Sequence, residues 1–201
     1  MTDQPIRAAA TIVLWREGPD GFQILMGQRG HGAAFMPSKY VFPGGAVDAE
    51  DSTETLPGLA ADCARRLTLC CPADAPSPGT LATAALRELV EETGLSMKNP
   101  APGALRFIFR AITPPGRSRR FDARFFLAAA HGLAGDIEHF SEASTELSHL
   151  HWIGLAEARA LDLPFITEVV LAEVSALLSG QTQPGVPFFD NSGPVPTFRR
   201  L

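Results

Sequence analysis

Between Arg87 and Leu95 the chain reads Arg-Glu-Leu-Val-Glu-Glu-Thr-Gly-Leu, and this segment restricts the fold more tightly than any other. On a helix at about 100° per residue, Glu88, Glu91 and Glu92 share an arc of roughly 100°, while Ala85, Leu86, Leu89 and Val90 gather on another side. One face therefore has to be buried, and the other has to carry three carboxylates. Like charges at i,i+3 and i,i+4 each cost roughly 0.2–0.5 kcal/mol on an isolated helix, so something cationic is expected beside them. Arg87 is placed to hold a carboxylate from within the same turn. Thr80 reads as the N-cap and Gly94 as the left-handed residue at the C-terminus, which predicts a helix ending near Thr93.

The elements around this helix follow from apolar periodicity. Arg7 to Trp15 is almost continuously apolar, and Phe22 to Met26 is apolar again after a polar, glycine-bearing stretch, which predicts two strands joined by a turn. A loop with Gly30 and Gly32 leads to Tyr40-Val-Phe-Pro-Gly-Gly45. A short helix is expected from about Leu59 to Leu67, and Cys71 to Gly79, with three prolines, reads as irregular. Leu105–Ile112, Phe121–Ala130 and Leu150–Ile153 read as strands, and Pro164–Leu178 carries a 3.6-residue apolar pattern. This order predicts an α/β (α+β) fold, a mixed sheet between helices, as a single domain over residues 1–180. Residues 181–201 hold four prolines and three phenylalanines. They are expected to form an ordered but irregular tail against the body or a second copy, and a homodimer is left open.

Composition excludes several classes of function. A net charge of −5 and a pI near 5.5 argue against a nucleic-acid partner, which needs a basic face. No apolar run reaches the roughly 18–20 residues of a membrane span, and Met1-Thr-Asp-Gln-Pro lacks a basic and then apolar leader, so a cytoplasmic location without membrane contact is expected. Cys63, Cys70 and Cys71 fit neither a disulfide framework nor a C-x-x-C metal spacing and read as reduced, partly buried thiols. The five histidines read as structural: His149 and His151 share a strand face, but no cysteine or carboxylate completes a metal set.

Arg87 to Leu95 matches R-E-U-x-E-E-x-G-U, with U aliphatic, at every specified position. The segment resembles the second half of the Nudix box. The first half, G-x5-E, is represented by Gly45 and Asp51, with an aspartate where the family has a glutamate. The spacer between the halves is 35 residues, which places an insertion at about 52–79. Loop closure makes such a length inexpensive. The resemblance implies a Nudix fold and a hydrolase that cleaves a diphosphate linkage in a nucleoside diphosphate derivative. It implies that Glu88, Glu91, Glu92 and the Gly44 carbonyl hold Mg²⁺ or Mn²⁺, with Arg87 supporting them. The candidate general bases are Glu146, then Glu88, then Glu142.

Two further stretches, Phe35 to Asp48 and Thr113 to Phe126, together with the interrupted box, resemble the coenzyme A and acyl-CoA diphosphatase branch. The substrate-binding candidates are Arg29, Phe35, Arg117, Arg119, Arg120 and Phe121, the arginines for phosphate and the phenylalanines for adenine or an acyl chain. The alternatives are a Nudix pyrophosphatase for ADP-ribose, dinucleotides or nucleoside triphosphates, and a nucleotide-sensing module without turnover.

Overall fold

A computed structural model describes residues 4–201. Residues 1–3, which carry part of the reading of the N-terminal start, lie outside the described residues. The strands are β1 (Ile6–Gly18), β2 (Gly21–Arg29), β3 (Tyr40–Val41), β4 (Gly44–Ala46), β5 (Arg106–Ile112), β6 (Arg120–Ala129), β7 (Leu147–Gly154), β8 (Pro187–Asp190) and β9 (Thr197–Arg200). The helices are α1 (Ala61–Leu67), α2 (Pro78–Thr93), α3 (Leu155–Ala158) and α4 (Phe165–Leu178). The sheet runs β3-β2-β1-β6-β5-β8-β9, with β4 added to β1 and β7 to β2. Pairings β1–β6 and β5–β8 are parallel and the others antiparallel, so the sheet is mixed.

β1 shows why its sequence is nearly all apolar. Ala10, Ile12 and Leu14 point to a core shared with α2, and Val13 points to a second core shared with α3 and α4. A central strand covered on both faces has no solvent side, so its apolar residues run together. The expected mixed sheet between helices is the observed architecture. No helix among the described residues is long and apolar enough to cross a membrane.

Two expectations are corrected. The cap of α2 is Ser77 rather than Thr80: the Thr80 amide donates to Ser77 Oγ at 3.1 Å, and Pro78 follows in the first turn. Pro78 and Gly79, read as loop, are therefore helical. Proline suits this position because the first helical N–H groups have no intrahelical partner. Gly94 closes the helix as expected, with φ 74° and its amide bonded to Val90 O at 2.8 Å. The tail is the second correction. Instead of being irregular, it adds β8 beside β5 and folds back as β9.

Insertion and tail meet over one face of β5 and β6. Arg110 donates to both oxygens of Asp122 at 2.8 and 2.7 Å and to the carbonyls of Leu69 and Cys70 at 3.0 and 3.2 Å. Its guanidinium also lies 4.2 Å from the Phe188 ring centre. Arg124 reaches Asp122 at 2.9 Å from the other side, and both arginines are buried. The three cysteines are free; Cys63 and Cys71 are half-buried, but Cys70 is exposed.

Candidate active site

The two halves of the box meet despite the spacer. Arg87 Nε and Nη2 bind the two oxygens of Asp51 at 2.9 and 3.0 Å, and Nη2 also binds the Ala46 carbonyl at 3.0 Å. Burial alone would raise the Asp51 carboxyl, but the Arg87 hydrogen bonds, the Asp48 amide and the Arg87 charge hold it below its usual 3.8. Arg87 is itself raised, chiefly by its hydrogen bonds to Asp51, against desolvation. The shorter aspartate therefore reaches its arginine.

The remaining donor of Arg87, Nη1, lies between Glu88 at 2.9 Å and Glu91 at 3.0 Å. The three glutamates of α2 are not equivalent. Glu88 and Glu92 are buried, whereas the Glu91 side chain is 54% exposed. Glu92 Oε2 accepts the Gly44 amide at 2.7 Å, while Glu92 Oε1 is buried with no hydrogen-bond partner. Burial raises Glu92 to about 8, with the Gly44 amide opposing and the charges of Glu88 and Glu146 adding to the rise. Glu88 is also raised, first by burial, with Arg87 opposing. Gly45 packs so closely on Glu88 that a Cβ would overlap its carboxylate. Only a glycine lets the turn approach the helix without moving this carboxylate.

Among the described residues no three His, Cys, Asp or Glu side chains form a ready-made metal cage; Arg87 holds Asp51, Glu88 and Glu91, and the Gly44 amide holds Glu92. The donor set nevertheless fits a hard divalent ion. Mg²⁺ keeps several waters and needs only one or two protein carboxylates beside phosphate oxygens. The orphaned Glu92 Oε1 and the mutual repulsion of buried carboxylates are what such an ion would relieve. His149 has φ 50° and is exposed, and His151 Nδ1 lies 2.6 Å from its carbonyl.

A cavity of about 980 Å³ opens beside the cluster, lined by Gly44, Gly45 and Glu88. The sequence-derived candidates divide around it. Arg29, Phe35, Arg117, Arg119, Phe121 and Glu146 line it. Arg29 Nη2 binds Glu146 Oε1 at 2.7 Å, and Phe35 meets Phe121 edge-on with centroids 5.3 Å apart. Glu142 is outside this group, exposed and with its backbone against Gly94. Arg120 is corrected: it is only 2% exposed, and its guanidinium donates to the carbonyls of Thr113 at 3.0 Å and Asn191 at 2.8 Å. It braces β6 against the tail, and of the three arginines of this loop Arg117 and Arg119 line the cavity. Sequence reading missed Arg7, Lys39 and the approach to α4 with its first turn, Leu163 to Thr167, all of which line the cavity.

The profile of the NUDIX domain matches residues 5–174. A NUDIX hydrolase from Alicyclobacillus acidocaldarius superimposes with a TM-score of 0.62 at 27% identity, covering 89% of this chain and 98% of that one. The NUDIX domain of Shewanella oneidensis NrtR, solved with ADP-ribose, gives 0.57 at 15% identity over 87% and 90%. A C. elegans Ap4A hydrolase gives 0.52 at 17% identity over 87% and 99%. The last two likenesses are of fold alone. With the profile over most of its length and both halves of the box joined through Arg87 and Asp51, the chain belongs to the Nudix family and is a hydrolase.

Proposed function

We propose that the chain is a Mg²⁺- or Mn²⁺-dependent diphosphatase of coenzyme A and acyl-coenzyme A, releasing 3′,5′-ADP and 4′-phosphopantetheine or its acyl thioester. One observation carries this reading. A single cavity has Glu88 and the Gly44–Gly45 backbone at one end, exposed Arg117 and Arg119 on its rim, and a long apolar wall that includes Phe125 and Phe189. A nucleotide with a diphosphate, a second phosphate and a long chain matches those three features.

When bound, a divalent ion at Glu88, Glu91, Glu92 and the Gly44 carbonyl neutralises the diphosphate and polarises its phosphoryl oxygens. Arg117 and Arg119 grip the 3′-phosphate with their planar donor pairs. Arg29 orients Glu146, which accepts a proton from water as the water oxygen bonds to phosphorus. The bond from that phosphorus to the bridging oxygen breaks, and the bridging oxygen leaves on the other phosphate as a monoester.

The test is a panel of CoA, acyl-CoA, ADP-ribose, dinucleotides and nucleoside triphosphates with either metal, with products weighed after reaction in ¹⁸O-water. CoA compounds should give the highest kcat/KM, and Glu91→Gln and Glu92→Gln should each lose roughly 10²–10³-fold. A higher value for ADP-ribose or a dinucleotide would replace the substrate class. Full activity in EDTA would refute the metal requirement, and binding without turnover would mark a sensing module.

A further inference from the structure

The strand registers bring together small side chains that are far apart in sequence. Ala46 of β4 is paired with Ala9 of β1, Ala9 with Ala123 of β6, Ala123 with Ala111 of β5, and Ala111 with Phe189 of β8. All five line the cavity. Strands lie about 4.8 Å apart, so the four steps make a floor roughly 19 Å long running across the sheet. It starts beside Gly45, which packs on Glu88, and ends at the N-terminus of α4.

The neighbouring positions on the same face are two residues away along each strand. On one side they are Thr11 and Phe125, paired with each other; on the other they are Arg7 and Phe121, also paired. The alanines thus form a trough between two ridges. At its far end Phe189 meets Phe165 edge-on with centroids 6.4 Å apart, and Phe165 is 66% exposed. Elsewhere on this sheet face large side chains from α4 fill the space, with Val170, Leu171 and Val174 fully buried. Over the alanines the space is open, and it is continuous with the carboxylate end of the site.

We infer that the trough holds the linear, non-nucleotide chain of the substrate, with the diphosphate at Gly45 and the apolar end of the chain against Phe189 and Phe165. The inference rests on the reading of the protein as a CoA or acyl-CoA diphosphatase. A channel floored by methyl groups between two ridges accepts along its length a chain that is slender beyond the gem-dimethyl carbon next to its phosphate. Each methylene buried at its end adds up to about fourfold to affinity. Phe165 and Phe189 are then the residues that set chain-length preference, and acyl-CoA is favoured over free CoA.

The experiment compares CoA, acetyl-CoA and octanoyl-CoA with wild type, Ala123→Leu and Phe165→Ala in the presence of Mg²⁺. Wild type should show kcat/KM rising about tenfold or more from acetyl to octanoyl. Ala123→Leu places a branched side chain in mid-trough and should raise KM for octanoyl-CoA by about tenfold or more, while Kd for 3′,5′-ADP, which has no chain, changes much less. Phe165→Ala should cut the octanoyl rate more than the CoA rate. Because Phe165 is a surface residue, this variant carries the test even where Ala123→Leu fails to fold. A flat chain-length profile with unchanged KM in the variants overturns the trough and leaves the CoA reading standing. No hydrolysis of any CoA compound overturns both.

Discussion

Arg87 holds both oxygens of Asp51 at 2.9 and 3.0 Å, joining residues that stand 36 positions apart. The carboxylate is almost fully buried and would be costly there without its partner. Asp51→Asn should therefore destabilise the protein by about 1–3 kcal/mol at neutral pH. The Asp51 carboxyl is depressed, so its contribution is present above the unfolded value of 3.8 and is lost as pH falls through the lower folded value. Urea unfolding between pH 6 and pH 2.5 should show a decline in wild type that is smaller in Asp51→Asn; parallel curves would sink the assignment.

Gly45→Ala tests the closeness of turn and helix. The added methyl overlaps the Glu88 carboxylate, and the side chain has to move. A displacement of about 1 Å at a reacting centre costs up to about 10²-fold. The loss should fall on kcat with the melting temperature little changed, since Glu88 lies beside the open cavity.

Glu146 and Glu142 separate by position. Glu146 lines the cavity and is held by Arg29, while Glu142 lies against the end of α2. Glu146→Gln should lower kcat by roughly 10²–10⁴-fold, and Glu142→Gln should stay near wild type. The reverse ranking would transfer the role of base to Glu142.

Asp122 balances two buried arginines on the other side of the sheet. Asp122→Asn leaves those charges poorly compensated and should cost about 3–5 kcal/mol in denaturant unfolding. A change much smaller than that would mean that Asp190, which bears on Arg110, compensates the charge alone.

The parts of this molecule legible in the sequence are those governed by short-range rules. The two faces of α2, its Gly94 terminus and the β1–β2 hairpin follow from spacing within a few residues. The box was legible as a pattern, but its closure across the insertion was not, because no local signal says that Asp51 returns to Arg87. The tail was misread because Pro187 and its neighbouring prolines suggest irregular chain; proline is tolerated as the first residue of a strand, and the partner β5 is far away in sequence. Arg120 was misplaced by its neighbours. Arg120, Asp122 and Arg124 alternate with Phe121, Ala123 and Phe125, a period-2 signal that places the charges on one face. Charged alternation normally means solvent, and only the packing of the insertion and tail reverses that meaning. The alanines of the trough carry no chemical group to mark them, and only strand register reveals them.

The insertion and the Phe188 face of the tail lie on the reverse of the strands that carry the trough. Arg110 fastens them there, and Ala111, the next residue, turns its methyl group to the opposite side. The two surfaces are one backbone thick, so reshaping the outer layer should tilt the channel from behind. Substrate choice can then drift through changes at positions that never meet a ligand.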